Sequence, residues 1–211
     1  QQLYVNAEHD GKAGVITISR ESYNGDVDAE LNRAIDWLKS QSIKRVIVTG
    51  DFHLSTQMVG ADTNEFFPAI TDEKEGERIA ASWSKTVRRL HDEFEISLGF
   101  IHGKRCMGGM LELMIHCHYL FTTDETVIAM PEVTIPVVPG MEGCHWAIRK
   151  ADAEGRQRLI AMLLDGKQVK AKDTQGWMVD YAGPLESGLK KAWEIMDKGT
   201  AAMPMRKVEA S

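Results

Sequence analysis

Ser97-Leu98-Gly99-Phe100-Ile101, followed by Met107-Gly108-Gly109-Met110-Leu111-Glu112-Leu113, is the stretch on which the fold turns. The first five residues are a short run rich in apolar side chains, the pattern of a buried strand. The glycine pair then opens a compact helix, MLELMIHC, so the stretch reads as a strand-to-helix junction. Residues 45–49 (RVIVT) repeat the theme. They form a buried strand ended by the turn dipeptide Gly50-Asp51, with a polar loop expected over 51–60. Met58-Val59-Gly60-Ala61-Asp62 then precedes a helical stretch. Further out, 14–19 (GVITIS) reads as a strand, and Val27, Leu31, Ala34, Ile35 and Leu38 share one helical face. Ile79, Trp83, Val87, Leu90 and Phe94 follow a helical period over 77–94. Strands are expected at 119–121 and 126–129, and helices at 155–164 and 186–196. Pro131, Pro136 and Pro139 make the segment between them a shaped loop. Strands alternating with helices predict an α/β class with right-handed crossovers.

A chain of 211 residues suits one domain or two small ones. A fold of that size buries roughly 70% of its unfolded surface, so its core needs no staples. The net charge of −6 argues against nucleic acid as the main partner, because phosphates attract basic surfaces. No apolar run reaches the ~18 residues of a membrane span. Cys106, Cys117 and Cys144 lack a CxxC spacing, so they make neither a disulfide framework nor a zinc ribbon, and reduced thiols point to a cytoplasmic protein. The chain opens at Gln1 without a charged-then-apolar leader, which reads as a processed or trimmed chain or a piece of a longer protein. Met107, Met110 and Met114 read as core filling, with the lining of an adaptable pocket as the alternative.

Both glycine-containing junctions place small residues where backbone can approach a ligand and where the N–H groups of a helix start attract negative charge. Two such N–H groups, one from each junction, can form an oxyanion hole. The plainer alternative is that the glycines only permit tight turns. Glu112 lies one helical turn after Gly109 among Met110, Leu111, Leu113, Met114 and Ile115, a costly place for a carboxylate without a partner or a function. Glu132 follows Pro131 between two apolar segments. A pair of carboxyl groups in an apolar pocket is a standard basis for acid/base chemistry, since burial raises their pKa. The alternatives are a partly exposed helix position for Glu112 and a loop salt bridge for Glu132.

The order RVIVTG…MVGAD, GFIHG…GGMLEL…C, MPE…IPVVPG resembles the crotonase (enoyl-CoA hydratase/isomerase) superfamily over roughly residues 14–180. The resemblance implies a ββα superhelix (spiral) core, spanning 1–185, with a short C-terminal helical region at 186–211 that is a curtailed version of the family's oligomerisation segment. It also implies an acyl-CoA thioester substrate, CoA being part of the substrate rather than a cofactor, no metal, and a homotrimer or dimer of trimers. Residue by residue, Ala61 and Gly109 match the oxyanion-hole amides, and Glu112 and Glu132 the two catalytic glutamates. Gly60, Asp62, Gly108, Pro139 and Gly140 match substrate-binding positions. Retention of both glutamates favours an enoyl-CoA hydratase. Glu112 is then expected to position and activate the water, and Glu132 to handle the proton delivered to Cα.

This chain departs from the family pattern in several places. Asn64 stands where a lysine is common, His102-Gly103 replaces Asn-Gly, and one residue more separates Gly103 from Gly108. Met141-Glu142-Gly143-Cys144-His145-Trp146 replaces a run of small residues and is expected to reshape the acyl pocket. Glu142 reads as a solvated loop residue, with a third active-site carboxylate as the alternative. His116-Cys117-His118 reads as structural rather than metal-binding. Phe66, Phe67, Trp83, Met107, Met110 and Trp146 are candidates for pocket or core. An isomerase or a C–C or thioester hydrolase of the same fold, and a non-catalytic assembly domain of a multifunctional protein, stand as the alternative functions.

Overall fold

A computed structural model of the chain describes residues 3–50, 57–135 and 137–209. Asp51, most of the loop expected over 51–60, and Pro136 lie outside the described residues. In chain order the elements are β1 (Val5–His9), β2 (Gly14–Ile18), β3 (Ser22–Tyr23), α1 (Gly25–Ser40), β4 (Arg45–Gly50), β5 (Gln57–Met58), β6 (Gly60–Ala61), α2 (Thr63–Ile70), α3 (Glu73–Asp92), β7 (Ile96–Ile101), β8 (Arg105–Met107), α4 (Gly108–Ile115), β9 (Tyr119–Thr123), β10 (Val127–Ala129), α5 (Gly143–Lys150), α6 (Ala153–Asp165), β11 (Val169–Lys170), β12 (Tyr181–Gly183) and α7 (Leu185–Lys198). The described end of the expected 51–60 loop is therefore strand, not loop, because β5 pairs with β8 and β6 with β3.

The strands build a six-stranded sheet ordered β1-β2-β4-β7-β9-β12, a four-stranded sheet ordered β11-β10-β8-β5, and the pair β3-β6. A ββα unit recurs along the chain. β4, β7 and β9 each enter the large sheet, and β5, β8 and β10 follow them into the second sheet before the chain turns into α2, α4 and, later, α5. Pairings within the repeat are parallel, and the β1-β2 hairpin caps one edge antiparallel. This is the spiral α/β architecture expected from the sequence.

Parallel strands covered on both faces read as continuous apolar runs, and all six residues of β7 are buried. The faces are separated by the pleat. Val46 and Val48 of β4 join Leu31, Ile35 and Leu38 of α1 and Val87 and Leu90 of α3. Ile47, between them, joins Phe100, Phe121 and the α7 residues Ala192, Ile195 and Met196 on the opposite face. The long helices α1 and α3 start on side-chain caps: Asn24 Oδ1 accepts from Val27 N at 2.9 Å, and Asp72 Oδ1 from Glu75 N at 3.3 Å. α3 begins four residues earlier than the periodic stretch because the polar Asp72 cap, not an apolar residue, sets its start. Among the described residues no helix is long and apolar enough to cross a membrane.

Candidate active site

The two glycine-bearing junctions meet. Gly60 sits at φ +105°, and a Cβ there would lie 3.2 Å from Met107 O and 3.4 Å from Gly109 N. A Cβ on Gly109 would lie 3.3 Å from Ala61 N. Only residues without side chains allow the β6–α2 and β8–α4 turns to come this close. The Ala61 and Gly109 amide N atoms both border this close approach. Val59 and Asp62, flanking the first junction, donate to Glu21 O and Tyr23 O at 2.8 and 2.7 Å. The helix start at Met107 has no side-chain cap, so the first-turn amides of α4 are not taken by a capping side chain.

Glu112 is 2% exposed, on a helix whose every residue is buried. Its Oε2 accepts from Met141 N at 2.7 Å and Gly143 N at 2.8 Å. Burial pushes its carboxyl up to about 8, reinforced by the nearby charges of Glu132 and Glu142 and opposed by the two amides. Glu132, on the short 3-10 turn Pro131–Thr134, is 9% exposed. Its Oε1 would lie 3.1 Å from a Cβ on Gly108, while its buried Oε2 has no hydrogen-bond partner among the described residues. Burial raises its pKa as well. Neither the exposed-helix reading of Glu112 nor the salt-bridge reading of Glu132 fits these surroundings.

Both glutamates line a cavity of about 140 Å³, open to solvent, whose other walls include Gly60, Ala61, Gly108, Gly109 and Gly140. Phe66, Ile79 and Trp83 from α2 and α3, and Val138 and Met141, supply apolar surface. Two further expected positions do not reach the wall. Asp62 caps α2 at Asn64 N (3.0 Å) and pairs with Arg20 Nη2 at 2.6 Å. Pro139 lies between two wall residues without lining the cavity itself.

Of the aromatic and Met candidates, Phe66 and Trp83 line the cavity, whereas Phe67 is largely exposed and Met110 is core. Trp146 stacks on His116 with ring centroids 4.9 Å apart. The expected 141–146 loop becomes helix α5 from Gly143 onward, and only Met141 of that segment reaches the cavity. Glu142 is not a pocket carboxylate: it is a partly exposed turn residue, and Arg88 grips both of its oxygens at 2.6 and 2.7 Å. His116, Cys117 and His118 diverge. His116 Nδ1 lies 2.6 Å from Glu112 O, Cys117 is a buried thiol pushed up to about 12, and His118 Nδ1 is 2.9 Å from Ser97 N. The Met141 and Gly143 amides that hold Glu112 had no signal in the sequence beyond the glycine itself.

Such a site can stabilise negative charge on an oxygen placed between two amides, and can give and take protons through two carboxyl groups raised toward neutrality. The family model described as enoyl-CoA hydratase/isomerase matches residues 20–175. An enoyl-CoA hydratase of Geobacillus kaustophilus superposes with a TM-score of 0.80 at 23% identity, covering 94% of this chain and 75% of that one. DspI of Pseudomonas aeruginosa gives a TM-score of 0.81 at 22% identity, covering 95% and 81%. The Bacillus anthracis enoyl-CoA hydratase gives 0.78 at 19% identity, covering 94% and 77%. By the extent of the family match and the shared architecture, the chain belongs to the enoyl-CoA hydratase/isomerase (crotonase) family.

Proposed function

We propose that the chain hydrates a 2-enoyl-CoA thioester. The observation that carries this reading is the convergence of two buried glutamates, each with its pKa raised by burial, and the Ala61 and Gly109 amides on one apolar cavity. Water is a weak nucleophile and needs a base at the moment it attacks C3. As the C3–O bond forms, the π electrons of the C2–C3 double bond move toward C1 and charge builds on the thioester oxygen. The Ala61 and Gly109 N–H groups receive that charge, and losing one such donor typically costs about 3–4 kcal/mol of barrier. A proton then reaches C2, so the reaction consumes one water and needs no redox equivalent.

Glu112 Oε2 is occupied by two amides, which leaves Oε1 as the oxygen to receive the water proton. Glu132 offers the second carboxyl for protonation at C2, and its unpartnered Oε2 is suited to exchange a proton with substrate or water. The two carboxyls act as a coupled pair. The apolar walls from Phe66, Ile79 and Trp83 favour an uncharged acyl chain. The homotrimer or dimer of trimers that the resemblance implies is tested by light scattering.

The test is a panel of 2-enoyl-CoA esters of increasing chain length, followed by loss of the enoyl-thioester absorbance. The wild type is expected to turn over at least one ester without releasing CoA thiol. Absence of turnover on every ester, or full activity in a Glu112→Gln Glu132→Gln double variant, sinks the reading. Thiol release without hydration identifies a hydrolase instead.

A further inference from the structure

Glu142 lies at φ +66°, in the left-handed region that glycine ordinarily fills. Its two neighbours in sequence, Met141 and Gly143, supply the amides that hold Glu112 Oε2. A left-handed residue between two amides turns both toward one point, making a small concavity suited to a carboxylate. A glutamate in that conformation persists only where its surroundings over-determine it. Arg88 of α3 does so, donating from Nε to Oε2 at 2.6 Å and from Nη2 to Oε1 at 2.7 Å. This fork geometry is the strongest form of carboxylate recognition.

The inner side of Glu142 is also occupied. Fully buried His116 turns Nε2 toward Glu142 Oε2 at 3.6 Å, and its Nδ1 lies 2.6 Å from Glu112 O. A carbonyl only accepts, so Nδ1 carries a proton. The backbone of Glu112 is therefore tied to the ring that faces Glu142, and its side chain to the turn that Glu142 shapes. The facing His116 ring, and after it Arg88, hold the Glu142 carboxyl down at about 2 against its partial burial, so it stays an anion.

We propose that Arg88 and Glu142 form a positioning clamp: their ion pair ties α3 to the turn before α5 and keeps the Met141 and Gly143 amides on Glu112. Neither residue lines the cavity, so the clamp acts on substrate only through Glu112. Its catalytic meaning rests on the hydratase reading above, whereas its effect on the two amides does not.

Arg88→Met, Glu142→Gly and Arg88→Lys test it. Both side chains are partly exposed, and glycine accepts the left-handed turn, so these variants are expected to fold. Displacing a reacting group by about 1 Å can cost on the order of 100-fold, so kcat is expected to fall at least about tenfold in Arg88→Met and Glu142→Gly with KM unchanged. Arg88→Lys should recover part of the loss. The second readout needs no substrate: the Met141 and Gly143 amide resonances, followed by NMR against pH. In the wild type both should move with one common midpoint that disappears in Glu112→Gln. In Arg88→Met and Glu142→Gly the common titration should shrink or vanish. Retention of either readout in both variants overturns the clamp. If the wild type shows the common titration but hydrates no enoyl-CoA, the hydratase reading falls and the amide titration alone decides the clamp.

Discussion

Replacing Gly143 with alanine adds one methyl group where the site has no room. That methyl would stand 2.5 Å from Glu112 Cγ, 3.0 Å from Glu112 Oε2 and 3.0 Å from Met130 Cε. Carbon atoms pack at about 3.5–4.0 Å, so the Glu112 side chain must recede by about 1 Å. Receding stretches or breaks the 2.7 and 2.8 Å bonds from Met141 N and Gly143 N. Alanine is the better helix former by about 1 kcal/mol, and Gly143 opens α5, so the backbone itself gains. Overpacking typically costs about 1–3 kcal/mol, leaving a modest net loss of about 0–2 kcal/mol. Catalysis should suffer far more than stability, by about 100-fold, because the reacting carboxyl has moved. Loss of enoyl-thioester absorbance measures the first effect and urea unfolding the second. Full kcat in a stably folded Gly143→Ala protein would refute the claim that the place of Glu112 matters to the reaction.

Three other outcomes follow from the same geometry. The Glu112 carboxyl is raised by burial from an ordinary 4.5 to about 8, so the folded protein binds more protons than the unfolded chain between those values. Its contribution is fully present below about pH 4.5 and is lost as pH rises toward 8, by up to about 1.4 kcal/mol per pH unit. Glu112→Gln should flatten that part of the stability profile, measured by urea unfolding, and an unchanged profile contradicts the burial account. Asp180→Ala removes the partner of Arg206 Nε (2.7 Å) and the acceptor for Leu120 N (2.7 Å), and should cost about 3 kcal/mol in the same assay. Gly60→Ala forces a Cβ to within 3.2 Å of Met107 O at φ +105°. It should lose about 1–3 kcal/mol and most of the hydration rate together, and separation of the two effects would argue against the close junction.

Much of this molecule is written in local patterns. α1 was legible because Val27, Leu31, Ala34, Ile35 and Leu38 recur at helical spacing and all five are buried. β7 was legible as a short run rich in apolar residues. The two-residue strands β3, β5 and β6 were not, since they exist only through pairing with partners distant along the chain, such as Ser22 with Gly60 and Gln57 with Arg105. α5 escaped notice because it begins after a left-handed glutamate, a conformation no local preference demands. At the site, the glutamates were legible as chemistry out of place, acidic groups set among apolar neighbours. Their supports were not. That Met141 and Gly143 amides would hold Glu112, and that Arg88 would grip Glu142, depends on α3 and α4 both meeting the turn before α5, which lies far from them along the chain. Asp62 shows the converse: its place in the Gly60-Ala61-Asp62 motif suggested substrate, but its side chain caps α2 and pairs with Arg20.

The central claim is that a thioester oxygen sits between Ala61 N and Gly109 N with Glu112 and Glu132 flanking the reacting carbons. A crystal structure of the protein with a bound 3-hydroxyacyl-CoA tests it most directly. The account predicts the thioester oxygen within about 3 Å of both amides and the 3-hydroxyl in hydrogen-bond contact with a glutamate carboxyl. A thioester oxygen bound away from these amides, or a 3-hydroxyl that meets neither glutamate, would contradict it.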